Sequence, residues 1–161
     1  MTATVENVLA LQATLGEGPV WVAREQALYC VDIKAHRVHR FDPATGEHRH
    51  WQAPAQVGWV LPADDGAFLA GLQGGVARFD PATGRFGEPI MPPGHLPTDR
   101  LNDAAVDPAG RVWFGSMDDG ESAATGRLFA HEAGRVRDGG LPAVAITNGP
   151  AIAPDGRTLY H

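Results

Sequence analysis

The chain has 161 residues, is 43% hydrophobic and carries a formal net charge of −6. That is enough for one domain with a core of its own. Its 13 Lys and Arg are scattered singly with no basic stripe, which argues against a nucleic-acid partner, and no run approaches the roughly 20 apolar residues that cross a bilayer.

One cysteine, Cys30, leaves no internal disulfide and suits a reducing, cytoplasmic compartment. Gly and Pro, 20 and 13 residues, make up about a fifth of the chain and punctuate it into short strands and tight turns. The N-terminus lacks the basic and apolar regions of a signal peptide.

In chain order, a first strand is expected over about Asn7 to Ala13. Glu17-Gly18-Pro19-Val20-Trp21-Val22 opens the next, and Leu28 to Ile33 forms an apolar strand in which Cys30 reads as a small buried hydrophobe. Val38-His39-Arg40-Phe41 alternates and runs into Asp42-Pro43-Ala44-Thr45-Gly46. There Asp caps a turn, Pro presets φ and Gly takes the left-handed position. His48 and His50 share a strand face, with His36 and His39 nearby. No cysteine or carboxylate converges on them, so they read as a solvated outer strand. Gly58-Trp59 opens another unit, with a strand at Ala67 to Ala70. The Asp-Pro turn then recurs as Arg78-Phe79-Asp80-Pro81-Ala82-Thr83-Gly84, and the flanks of both turns read as outer hairpins. A Pro-rich loop at Met91-Pro92-Pro93-Gly94 places His95 near a channel mouth. Asn102 to Gly110, a strand at Arg111 to Gly115, Asn148 to Gly156 and a strand at Thr158 to Tyr160 complete the chain.

These stretches overlay. Glu17, Gly58, Asn102 and Asn148 occupy one slot in successive units, at separations of 41, 44 and 46 residues. Each unit is four short strands, and a period of 40–50 residues is that of a β-propeller blade. The fold class is all-β. Three units fit and a fourth begins, whereas a ring closes with at least about four blades. Residues 1–161 are therefore expected to be part of one propeller domain whose second half is missing. Trp21, Trp51, Trp59 and Trp113 read as core or blade-interface residues. The glycine at slot 58 is expected to leave room for a ligand, with Trp59 as a possible wall.

Several motifs together resemble the SMP-30/gluconolactonase/regucalcin family. They are Leu15-Gly16-Glu17-Gly18-Pro19, Arg100-Leu101-Asn102-Asp103, Gly115-Ser116-Met117 and Thr147-Asn148-Gly149-Pro150. The resemblance implies a six-bladed propeller with a divalent cation on its axis and hydrolysis of sugar lactones. It implies metal ligation by Glu17 and Asn148, and substrate binding by Arg100 and Asn102. A carboxylate shortly after Met117 is also implied to meet substrate. Asp118, Asp119 and Glu121 are the candidates, with Asp119 and Glu121 the preferred pair, although strict register lands on Gly120. The Asp that serves as third ligand and general base is expected beyond His161, so the 161 residues alone are expected to be inactive.

In a six-bladed ring, Glu17 and Asn148, three blades apart, face each other across the channel. A carboxylate and an amide oxygen suit calcium, magnesium or manganese, with zinc tolerated. The bland alternative is that each slot residue caps the start of its strand, and that Arg100 is a surface arginine paired with Asp99 or Asp103. In function, the alternative to a lactone hydrolase is a non-catalytic cation-binding propeller or an inactive fragment. The expected partner is a small sugar lactone.

Overall fold

In the computed structural model, which describes residues 4–161, the repeat becomes sheets. The first sheet pairs β1 (Gly16–Val22), β2 (Ala27–Asp32), β3 (Arg37–Phe41) and β4 (His48–Gln52) in that order. The second pairs β5 (Val57–Pro62), β6 (Phe68–Leu72), β7 (Gly75–Asp80) and β8 (Arg85–Phe86). The third pairs β9 (Asp99–Val106), β10 (Val112–Asp118), β11 (Leu128–Glu132) and β12 (Arg135–Asp138). A two-stranded sheet, β13 (Ala151–Ile152) and β14 (Leu159–Tyr160), follows. All pairings are antiparallel between sequence neighbours. Strand β5 packs beside both β1 and β9, so the first strands of the sheets stand side by side at the inner edge. These are β-propeller blades.

The hairpin turns form as their chemistry dictates. Asp42 Oδ1 accepts from the Ala44 amide, and Asp80 Oδ1 from the Ala82 amide, each at 2.9 Å. Gly46 and Gly84 close the two turns at φ of 74° and 71°, where a Cβ would be strained.

The core lies between blades rather than within them. Alternation sends Tyr29, Val31 and Val38 from blade 1 against Val57, Val60, Phe68 and Phe79 from blade 2. Tyr29 and Phe68 pack with ring centroids 4.5 Å apart, and Trp51 meets Phe79 edge-on at 5.4 Å. A second cluster joins Trp59 and Val76 to Leu101, Phe114 and Phe129. Each fully buried side chain of this size contributes roughly 1.5–3 kcal/mol.

The structure departs from the sequence reading in several places. Asn7 to Ala13 form no strand, because no neighbouring strand among the described residues takes up their N–H and C=O groups. Trp59 is buried core, but Trp21 is 46% exposed. The outer histidines are not all solvated: His39 is 5% exposed, and its Nδ1 lies 2.9 Å from His48 Nε2. Burial of the His39 ring and the neighbouring His48 and His50 lower its pKa. Gly58 does not open space for a ligand. A Cβ there would sit 2.2 Å from the Leu101 carbonyl oxygen, so β9's own backbone occupies that room.

Candidate active site

The inner strands of the three four-stranded sheets, β1, β5 and β9, are irregular at their slots. Pairing with the second strand breaks between Glu17 and Val20, between Val57 and Trp59, and opposite Gly115 in the β9–β10 ladder. A bulge re-aims side chains at the end of a strand. Here the bulges bring the slots of blades 1 and 3 and the approach to β13 around one cavity. It measures about 180 Å³ and is lined by Glu17, Arg100, Asn102, Glu121 and Asn148, with Leu15, Ile33, Met117 and Ile146 as apolar walls. Glu17 also lines a neighbouring cavity of about 240 Å³, together with Trp59, Val60 and Asp103.

Arg100 is no surface arginine: it is 4% exposed. Nor does it pair with Asp99 or Asp103. Asp99 accepts from the Thr125 hydroxyl at 2.8 Å, and Asp103 accepts from the Gly149 amide at 2.9 Å. The partner of Arg100 is Asp119, whose Oδ1 receives Nε at 3.0 Å. Arg100 Nη1 donates to Asn102 Oδ1 at 2.5 Å. With its oxygen so occupied, Asn102 turns Nδ2 towards the Thr147 carbonyl at 2.6 Å and Asn148 Oδ1 at 3.3 Å. Thr147 can come this close because residue 115 is glycine; a Cβ there would lie 2.1 Å from the Thr147 hydroxyl oxygen.

The three acidic residues after Met117 take different parts. Asp118 closes its own loop, accepting from the Ser122 amide at 2.9 Å, the Ser122 hydroxyl at 2.8 Å and the Ala123 amide at 3.1 Å. Those bonds hold its carboxyl below the usual range. Asp119 lies outside the cavity lining but accepts from Lys34 Nζ at 2.5 Å and Gln56 Nε2 at 2.8 Å, besides Arg100. Burial would raise its pKa, but the bonds from Lys34 and Gln56 and the charges of Lys34 and Arg100 outweigh that and lower it. Glu121 lines the cavity from a left-handed backbone position, φ 54°. Of the other histidines, His95 is not in the lining; its Nε2 lies 3.4 Å from the Gln73 carbonyl. Lys34 and Gln56 were not foreseen. The available signals were faint: a lysine directly after an apolar strand, and a glutamine two positions before the glycine slot.

Among the described residues, no three His, Cys, Asp or Glu side chains are placed to share a metal ion. The donors at the cavity are instead two carboxylates, Glu17 and Glu121, and amide oxygens. Asn102 Oδ1 is taken by Arg100, which leaves Glu17, Glu121 and Asn148 as oxygen donors. That chemistry fits part of the shell of a hard divalent cation and lacks zinc's preferred sulfur and imidazole ligands.

Side-by-side four-stranded sheets with polar side chains at one end of the inner strands define a β-propeller. Residues 15–161 match the SMP-30/Gluconolactonase/LRE-like region, and the chain belongs to that family. It is 35% identical over its whole length to a 6-deoxy-6-sulfogluconolactonase of Pseudomonas putida, covering 55% of that protein. It is 37% identical across 98% of its length to a pentonolactonase of Haloferax volcanii, covering 52% of it. Its fold matches the calcium-binding protein regucalcin of Agrobacterium tumefaciens with a TM-score of 0.82 at 24% identity, over 91% of this chain and 50% of that one. The chain thus spans about half the length of the curated relatives it matches. No helix among the described residues is long and apolar enough to cross a membrane.

Proposed function

We propose that the protein carrying this chain hydrolyses sugar lactones with the help of a divalent cation (calcium, zinc, manganese or magnesium) held in part by Glu17 and Asn148. The observation that carries the reading is the single cavity lined by Glu17, Arg100, Asn102, Glu121 and Asn148, drawn from residues up to 131 positions apart. Relatives named as lactonases support the substrate class.

When bound, such a cation polarises a carbonyl and acidifies a water. In the reaction, water adds to the lactone carbonyl carbon, the ring C–O bond breaks, and the ring oxygen leaves as a hydroxyl to give an open-chain hydroxy acid. Glu17 supplies the formal negative charge on the cation's side of the cavity. Asn102 fixes the Asn148 amide by donating to its oxygen. Arg100 spends Nε and Nη1 on protein partners, and its Nη2 faces no acceptor among the described residues. That group donates to the oxygen on which negative charge develops. Asn102 and Glu121 orient the sugar hydroxyls. The base that takes the water's proton is proposed to be an Asp beyond His161.

The test is turnover of a panel of sugar lactones by the full-length protein, with and without chelator, beside Glu17→Gln. Hydrolysis should vanish with chelator and return with added cation. Calorimetric titration should show cation affinity lowered by at least about 10²-fold in the variant, since even outer-shell changes cost up to that much. Hydrolysis indifferent to chelator would remove the cation from the mechanism. Normal cation binding with no lactone turned over would instead favour a binding-only propeller.

A further inference from the structure

Asp119 was a candidate substrate contact, yet the structure gives it a different set of neighbours. Its Oδ1 accepts from Lys34 Nζ at 2.5 Å and Arg100 Nε at 3.0 Å, and its Oδ2 accepts from Gln56 Nε2 at 2.8 Å. Its own amide donates to the Thr98 carbonyl at 3.0 Å. Lys34 sits in the β2–β3 turn of blade 1, Gln56 precedes β5 of blade 2, and Arg100 belongs to β9 of blade 3. One carboxylate therefore collects donors from the mouth ends of all three blades.

We infer that Asp119 is a positioning residue: it fixes the Arg100 guanidinium, and through Arg100 sets the amide orientation of Asn102 and Asn148. The relay is continuous. Asp119 holds Nε, which leaves Nη1 to reach Asn102 Oδ1 at 2.5 Å. An amide whose oxygen receives a cation presents its nitrogen on the other side. Asn102 Nδ2 accordingly meets the Thr147 carbonyl and Asn148 Oδ1. Asn148 is thereby held with its oxygen, not its nitrogen, beside Asn102. A guanidinium 5% exposed at its side chain needs such a counter-charge, because an uncompensated buried cation is strongly disfavoured. Lys34, 38% exposed, shares the same oxygen and keeps Asp119 ionised at the rim. The inference rests on the reading of Arg100 as a substrate contact, and its test separates the two.

The test is a double-mutant cycle in the full-length protein: kcat/KM for wild type, Asp119→Asn, Arg100→Ala and the double variant, all metal-saturated and corrected for folded fraction. Asn has nearly the same shape and removes the charge. In the wild-type background Asp119→Asn should lower kcat/KM by about 10²-fold, the cost of a small misplacement of a reacting-centre group. In the Arg100→Ala background it should change kcat/KM by less than about twofold, because coupled residues do not add. An equal loss in both backgrounds, or no loss in either, overturns the inference. A second readout does not depend on activity. The Arg100 Nε–H resonance, assigned by its disappearance in Arg100→Ala, should be visible and slowly exchanging in wild type and broadened or lost in Asp119→Asn. Should no lactone be turned over, the substrate reading fails while this resonance still decides: retained in Asp119→Asn, it overturns the positioning role.

Discussion

Two of the carboxylates of blade 3, Asp107 and Asp119, gather their donors in opposite ways. Asp107, in the turn between β9 and β10, accepts from the Ala109 amide at 2.9 Å, the Arg111 amide at 3.0 Å, Arg111 Nε at 2.6 Å and Trp113 Nε1 at 3.0 Å. Every partner lies within six positions of it. Asp119, at the other end of β10, takes donors 85, 63 and 19 positions away. The first ties a hairpin to itself, whereas the second ties three blades together at the mouth. Local bonds make a blade whatever the blade is used for. Bonds spanning blades exist only once the sheets stand side by side, and here they converge on the candidate site.

The sharpest test of that contrast compares the two arginines. Arg100→Ala removes the partner of Asp119 and a proposed donor to the transition state, where loss of one oriented contact typically costs about 2.7–4 kcal/mol, or 10²–10³ in kcat. Melting temperature should fall as well, because the guanidinium is buried. Arg111→Ala removes an arginine whose side chain is 32% exposed and which pairs with Asp107; it should lower melting temperature while leaving kcat/KM per folded molecule unchanged. If Arg100→Ala lowered only the melting temperature, both arginines would be scaffolding and the placement of substrate would be wrong.

The same contrast explains what was legible in the sequence. Asp42-Pro43 and Asp80-Pro81 announced their turns, because the cap, the fixed φ and the left-handed glycine all fall within five residues. The slot repeat announced the inner strands and their shared end, since one apolar body recurs behind Glu17, Gly58, Asn102 and Asn148. The partners of Asp119 left no such trace: nothing local links Lys34 to a loop 85 residues on. Burial of Arg100 and His39 was equally hidden, because a strand shows which residues share a face but not what will cover it. The strand expected at Asn7 to Ala13 failed for a related reason, since a strand is a pairing and the pattern of one segment cannot supply its neighbour.

A smaller effect is expected in acid. Burial alone would raise the Asp107 carboxyl, but the donors from Trp113, Arg111 and Ala109 outweigh it and hold its pKa at about 2. Its folded pKa is thus depressed from the ordinary value near 3.9. The sign follows from linkage: the stabilisation is present above pH 4 and is lost as pH falls through about 2. Asp107→Asn leaves Arg111 Nε and Trp113 Nε1 without an ionised acceptor, at a cost of roughly 1.5–3 kcal/mol. Its melting temperature should therefore trail wild type at pH 5–7, and the gap should close towards pH 2. A gap independent of pH would mean that the hairpin depends on the shape of Asp107 and not on its charge.

The smallest effects separate two glycines, one in a turn within a blade and one where two blades meet. Gly58→Ala places a Cβ 2.2 Å from the Leu101 carbonyl and 2.8 Å from that of Asn102, both backbone atoms of β9. Neither can swing aside, so β5 and β9 must separate, and overpacking of this kind costs typically about 1–3 kcal/mol. Because β9 carries Arg100 and Asn102, the displacement reaches the cavity, and kcat/KM per folded molecule should fall too. Gly46→Ala meets nothing within 4 Å, yet its φ of 74° lies in the left-handed region, which costs an ordinary residue roughly 1–2 kcal/mol. The cost at position 46 stays in the β3–β4 turn, so melting temperature should drop slightly with kcat/KM per folded molecule untouched. Gly46→Asn should recover part of the loss, since Asn tolerates the left-handed region, whereas Gly58→Asn should be worse than alanine because its problem is space. If activity followed stability equally in Gly58→Ala and Gly46→Ala, contacts between blades would matter no more to the site than contacts within them.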